Sequence, residues 1–305
     1  MSNSKFFLAL FMAVSLVIPT QALAVNKNSV KTQVVTQTAS TQNSTWLWDT
    51  QQIVSNSDAI LNFVAANNVK NIYLQVNYSL NLDSYKNFIR KASAKSISVQ
   101  ALDGAPDWAS DNGAYKQQQL FDWLNKYQSS ALINEKFNGV HLDVEPYLNT
   151  QYNQNMSGVL ANYQSLLLDA VSKTNALGIK LAVDVPFWFD GVTYNTKYGT
   201  GNLAEWIIKN VKNVVIMAYR DTAAGTNGII SVVSKELSLG KLYGTKVTVG
   251  VETQKSSEGD FISFYEEGRA YMNQELNKVY TSYSGNSSFD GFAIHHAMSW
   301  MVLRK

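Results

Sequence analysis

Cysteine is missing from all 305 residues, which excludes disulfide scaffolds, thiolate metal sites, cysteine nucleophiles and lipid attachment through a thiol. Charge is scarce as well. Asp, Glu, Lys and Arg make up 16% of the chain, and 25 basic against 23 acidic residues leave a formal charge of +2. No dense basic block is present to follow a phosphate backbone, so nucleic acid is not an expected partner. Also absent are a Gly-rich phosphate loop, a G-x-S-x-G elbow and paired-ligand motifs of the H-x-H or H-E-x-x-H type. These absences speak against nucleotide, esterase and resident-metal chemistry, and no cofactor or metal is expected. What remains is chemistry by oxygen and imidazole on a globular chain, 46% hydrophobic and 12% aromatic, with enough length for a large core.

Lys5, a mostly apolar run over residues 6–18 and the small-x-small triplet Ala22-Leu23-Ala24 have the layout of a secretory signal peptide spanning 1–24, cleaved after Ala24. An uncleaved anchor is the other reading of the same run. Residues 25–44 are rich in Ser, Thr, Gln and Asn without apolar periodicity, and read as a flexible linker. Residues 45–305 then carry the folded domain, expected as a secreted or cell-surface monomer free of the membrane once the signal is removed.

Within that domain eight short β-rich runs recur, at 44–49, 71–77, 97–104, 139–147, 180–188, 213–221, 246–253 and 289–296. Helical patterns lie between them. In the fourth, Val159, Leu160, Tyr163, Leu166, Leu167, Ala170 and Val171 fall at three- and four-residue spacing, with Gly178 placed as a C-terminal cap. Strands that alternate with helices run parallel, because each return needs a crossover. Eight such units predict an α/β fold, a single closed (β/α)8 TIM barrel, rather than an open doubly wound sheet. Little sequence follows the eighth run, so its closing helix is expected to be short.

Side chains alternate along a strand, so parity sorts inward from outward residues. On the fourth run Val140, Leu142 and Val144 are the apolar set, which turns His141, Asp143 and Glu145 toward the barrel axis and its C-terminal mouth. Stacked carboxylates do not stabilise a fold, so they point to chemistry, with a structural hydrogen-bond network as the alternative. On the seventh run Val247, Val249 and Val251 leave Glu252 inward, across the mouth from Glu145. One of these glutamates suits an acid and the other a nucleophile, with a salt bridge as the plainer role for Glu252. Tyr219 and Asp221 on the sixth run, Asp184 on the fifth and His295 on the eighth also read as inward. Asp184 or His295 could orient a catalytic carboxylate, and His141 and His295 could equally be satisfied core histidines. Trp48, Trp108, Trp188 and Trp300 fall at or beyond strand ends, where flat apolar rings suit sugar faces.

The segment FNGVHLDVEPY, residues 137–147, resembles the D-G-x-D-x-D-x-E signature of family 18 chitinases, and Met217-Ala218-Tyr219 is similar to that family's M-x-Y-D. The resemblance implies that Glu145 is the acid, Asp143 its supporting aspartate, and Trp300 the tryptophan after the eighth strand. Asn138, His141 and Arg220 depart from the pattern. Glu145 and Glu252 also resemble the acid/base and nucleophile of the large retaining glycosidase clan, although Val144 stands where that clan usually has Asn. The sequence therefore predicts a secreted glycoside hydrolase acting on a polysaccharide or cell-wall glycan. Glu145, Asp143 and Glu252 would be catalytic, with Trp48, Trp108, His141, Asp184, Trp188, Tyr219, Asp221, His295 and Trp300 around the sugar. A catalytically silent carbohydrate-binding barrel and a metal-dependent hydrolase are the competing readings.

Overall fold

The computed structural model describes residues 42–305; the expected signal peptide, and the expected linker up to residue 41, lie outside them. Eight parallel strands close into a barrel in sequential order, with the eighth pairing back onto the first. They are Asn43–Leu47, Val69–Gln75, Ser98–Asp103, Gly139–Leu142, Lys180–Pro186, Asn213–Met217, Lys246–Glu252 and Phe289–His295. The first strand starts at Asn43, so Asn43 and Ser44, read above as linker, belong to the barrel. Both are buried because they pair with Phe292 and Ala293 of the eighth strand.

Alternation along the strands separates two cores. Val140, Leu142, Val144, Val247, Val249 and Val251 face outward into the main core under the helices. Trp46, Tyr73, Leu102, Val215 and Ala293 face inward and form a second cluster inside the barrel. A Cβ on inward Gly250 would stand 3.0 Å from the Ile216 carbonyl and 3.5 Å from the Trp46 ring, so bare backbone gives that indole its room.

The helix after the fourth strand, Met156–Leu177, begins where the Asn155 side chain accepts from the Gly158 N–H at 3.1 Å. It ends at Gly178 in the left-handed region, φ 64°. Its buried face carries Val159, Leu160, Tyr163, Leu166, Leu167 and Ala170, and each fully buried aliphatic side chain contributes roughly 1.5–3 kcal/mol. After the eighth strand only Ala297–Val302 is helical, in line with the short closing helix expected. An antiparallel hairpin, Thr193–Thr196 with Gly199–Asn202, follows the fifth strand and is absent from the sequence reading. Among the described residues no helix is long and apolar enough to cross a membrane.

One acid in the outer layer is poorly compensated. Glu236, in helix Ser234–Tyr243, is fully buried and neither carboxyl oxygen has a hydrogen-bond partner. Burial raises its pKa from 4.5 to about 7, with the charge of Asp190 adding to the rise and its own backbone and Lys235 opposing it.

Candidate active site

The fourth strand leaves the ladder after Leu142, so Asp143, Val144 and Glu145 stand beyond the last paired residue, at the C-terminal mouth. A glycine permits this. Gly104 has φ 147°, and a Cβ there would lie 2.2 Å from the Asp143 carbonyl oxygen, so the ends of the third and fourth strands meet backbone to backbone. The Asp143 N–H donates to the Asp103 carbonyl at 3.0 Å, which anchors this approach.

Past Glu145, Pro146 opens a single 3-10 turn, Pro146–Leu148, that brings the Tyr147 hydroxyl back to donate to Glu145 Oε1. Glu145 is partly buried. Burial raises its pKa, the charge of Asp184 adds to the rise, and the Tyr147 hydrogen bond and His295 oppose it. Burial also holds the Asp143 carboxyl well above the usual carboxylate range, with the charges of Asp184 and Glu145 acting in the same direction. Asp143 Oδ1 is buried without a hydrogen-bond partner. Beside this pair the Trp188 ring, 39% exposed, meets Tyr147 edge-on at 4.8 Å.

Below the mouth lies a closed polar layer. The Trp46 indole N–H donates to Asp184 Oδ2 at 3.0 Å, and His141 Nε2 lies 2.8 Å from the same oxygen. The His141 ring stacks on Tyr73 with centroids 3.8 Å apart. His141 and Asp184 are 0% and 2% exposed, so neither can touch a sugar directly. Their expected place among substrate contacts is corrected to support from beneath.

Across the mouth, the first carboxyl oxygen of Glu252 accepts from the backbone N–H groups of Thr253 and Gln254, both at 2.7 Å. Its second oxygen lies 2.8 Å from His295 Nδ1, and the two residues are register partners on neighbouring strands. The Trp48 indole N–H donates to His295 Nε2 at 2.8 Å. Tyr219 joins the two sides. Its phenol pKa is raised well above the usual value, first by burial and then by the charges of Glu252, Asp184, Asp143 and Glu145. The Tyr219 hydroxyl thus feels the charges of acids from the fourth, fifth and seventh strands.

Three further expected contacts fall elsewhere. Trp108, in the turn Pro106–Ala109, and Trp300 are 5% and 3% exposed and pack into the main core. Trp300 meets Phe63 edge-on at 5.2 Å. Asp221 follows Tyr219 by two residues but has left the strand. Its N–H donates to the Phe261 carbonyl, and Glu275 and Glu266 of the outer layer, not the mouth acids, are the like charges acting on its carboxyl. Two residues not anticipated above also belong to this region: Trp46, which shares the inward parity of Trp48, and Tyr147, whose position two residues past an acid and one past a proline was the available signal. A third is Asp103 at the end of the third strand, which accepts from the Tyr78 hydroxyl at 2.5 Å.

No family model matches this chain, and no curated protein matches it. Solved structures do. A family 18 chitinase from Cycas revoluta in complex with (GlcNAc)3 is similar at a TM-score of 0.53 and 12% identity, over 84% of this chain and 95% of that one. The same plant enzyme in complex with allosamidin gives a TM-score of 0.53 at 11% identity over the same shares. At this identity the likeness is one of fold. The barrel is of the kind found in family 18 chitinases, as the segment at 137–147 led us to expect.

Proposed function

We propose that this chain is a glycoside hydrolase acting outside the cytoplasm, with Glu145 as proton donor to the glycosidic oxygen and Glu252 as the carboxylate that attacks the anomeric carbon. The observation that carries the reading is Glu145 itself. It is a carboxyl at the barrel mouth, raised in pKa by burial and by the charge of Asp184, and touched by the Tyr147 hydroxyl. Glu252, held by two backbone amides and faced by an imidazole, has the fixed orientation that a nucleophile needs. Trp188, exposed beside Tyr147, offers the apolar ring for a sugar face. The GlcNAc oligomer bound by the Cycas chitinase supports N-acetylated aminosugar polymers as the first substrates to try, and the apolar segment before Ala24 supports export.

A screen of the chain on chitin oligosaccharides and cell-wall glycan, paired with a 2-fluoro glycosyl trap and mass spectrometry, tests this reading. Released sugar with a covalent adduct on Glu252 is the expected result. Turnover of 2-acetamido glycans alone, with no adduct, would move the attack to the substrate's own acetamido oxygen, oriented by Asp143 and Tyr219. Tight sugar binding without product would leave a silent binding barrel.

A second outcome concerns pH. A general acid works only while protonated, so activity falls on the alkaline side as pH rises through the raised pKa of Glu145. The Tyr147 hydrogen bond favours the ionised carboxylate and so lowers that pKa. Tyr147→Phe is therefore expected to move the alkaline limb of kcat/KM to higher pH. A limb that stays in place or moves down would remove Tyr147 from this role.

A further inference from the structure

Trp48 was expected to serve as a sugar platform, yet its polar edge is already committed. An indole N–H can only donate, so at 2.8 Å the nitrogen it meets on His295 must be the acceptor. A neutral imidazole carries one proton, which this contact leaves on Nδ1, the nitrogen 2.8 Å from Glu252 Oε2. A second proton, on Nε2, would set two donors against each other.

The rest of the surroundings hold the ring in place. The Trp46 ring lies 5.3 Å away from inside the barrel, Tyr219 lies 5.9 Å away from the sixth strand's end, and His296 lies 5.2 Å away on the following residue. Glu252 is the acid in contact with the imidazole, while Glu145 feels it from across the mouth. Behind the ring, the His295 carbonyl accepts from the Thr253 N–H at 2.8 Å and from the Thr253 hydroxyl at 2.6 Å. That hydroxyl in turn lies 2.8 Å from Ser299 Oγ. Backbone and ring are thus both fixed, and Trp48 selects which nitrogen carries the proton.

We propose that Trp48 is a positioning residue: it acts through His295, locking the Nδ1–H tautomer so that the protonated nitrogen is the one lying 2.8 Å from Glu252 Oε2. The kinetic consequence rests on the glycosidase reading, whereas the tautomer does not, so the two can fail separately.

The experiment is 15N NMR of the imidazoles in the wild-type chain and in Trp48→Phe. The sequence contains 3 histidines, and His295→Gln assigns the signal by subtraction. The wild type is expected to show the Nδ1–H tautomer, held over the range where a free imidazole would interconvert. In Trp48→Phe the Nε2 position is released, and a mixture of tautomers is expected. On active protein the same variant should lower kcat roughly 10- to 100-fold with KM little changed, the size of effect expected from slight misplacement of a reacting group. An Nε2–H tautomer in the wild type overturns the proposal even if the variant fails to fold. Identical imidazole spectra in the two proteins overturn it too, and with a raised KM at unchanged kcat they return Trp48 to the role of sugar platform. If neither protein hydrolyses any glycan, the NMR result still decides the tautomer.

Discussion

Replacing Glu145 by glutamine is expected to lower turnover at least roughly 100-fold while leaving the barrel folded, in keeping with the usual contribution of a positioned general acid. The amide keeps the size and planarity of the carboxyl and still accepts from the Tyr147 hydroxyl, so packing at the mouth is preserved. What it cannot do is deliver a proton to a departing sugar oxygen. Binding of an oligosaccharide should persist, because the exposed Trp188 ring and the other mouth groups are untouched. Any residual rate should also lose the alkaline limb that Glu145 imposes. Steady-state kinetics on a cleavable glycan, with circular dichroism to confirm the fold, provides the check. Near-normal turnover would remove Glu145 as proton donor, and with it both ways of supplying the nucleophile, since each needs the same acid.

Glu236→Gln is expected to stabilise the protein at alkaline pH and leave it unchanged in acid. The folded-state pKa of Glu236, about 7, exceeds its usual value of 4.5, so the folded chain holds this proton more tightly than the unfolded chain. The stability associated with the proton is fully present below about pH 4.5 and is lost as pH rises through about 7. Above that, the buried and unpartnered carboxylate costs about 3 kcal/mol, at about 1.4 kcal/mol per pH unit. Glutamine mimics the neutral acid at every pH. Urea unfolding at pH 4.5 and pH 8 should therefore show a gain of roughly 2–3 kcal/mol at the higher pH and none at the lower. An equal difference at both values would mean that repacking, rather than proton linkage, sets the effect.

The barrel was legible because burial on both faces of a parallel strand leaves a strong β signature and the helices between carry their own period. The parity of Val140, Leu142 and Val144, and of Val247, Val249 and Val251, correctly separated the outer core from the axis. Parity describes a strand, however, and it lapsed where the chain left the ladder. Asp221 follows that rule in the sequence, but it lies past the strand, its N–H bonded to the Phe261 carbonyl and its carboxyl under the charges of Glu275 and Glu266. The hairpin Thr193–Thr196 with Gly199–Asn202 escaped notice because its exposed residues alternate without an apolar face. Tryptophans were hardest to place. Trp108 and Trp300 lie past strand ends as Trp188 does, and only three-dimensional packing distinguishes rings sealed in the core from one left exposed. The contact between His295 and Glu252 was within reach of the sequence: seventh and eighth strands are neighbours in any such barrel, and both residues sit at strand ends.

The first and eighth strands meet over three register pairs, from Asn43–Phe292 to Thr45–Ile294, against five between the first and second strands. Trp48 and His295 hang from opposite sides of this seam, 247 residues apart in sequence. On a ribosome adding about 5–20 residues per second, His295 emerges roughly 12–50 s after Trp48. A nascent chain with seven strands therefore carries Glu145 and Glu252 but has no imidazole to bring against Glu252. Closing the seam, and with it bringing an imidazole against Glu252, is therefore the last event that synthesis of the barrel permits.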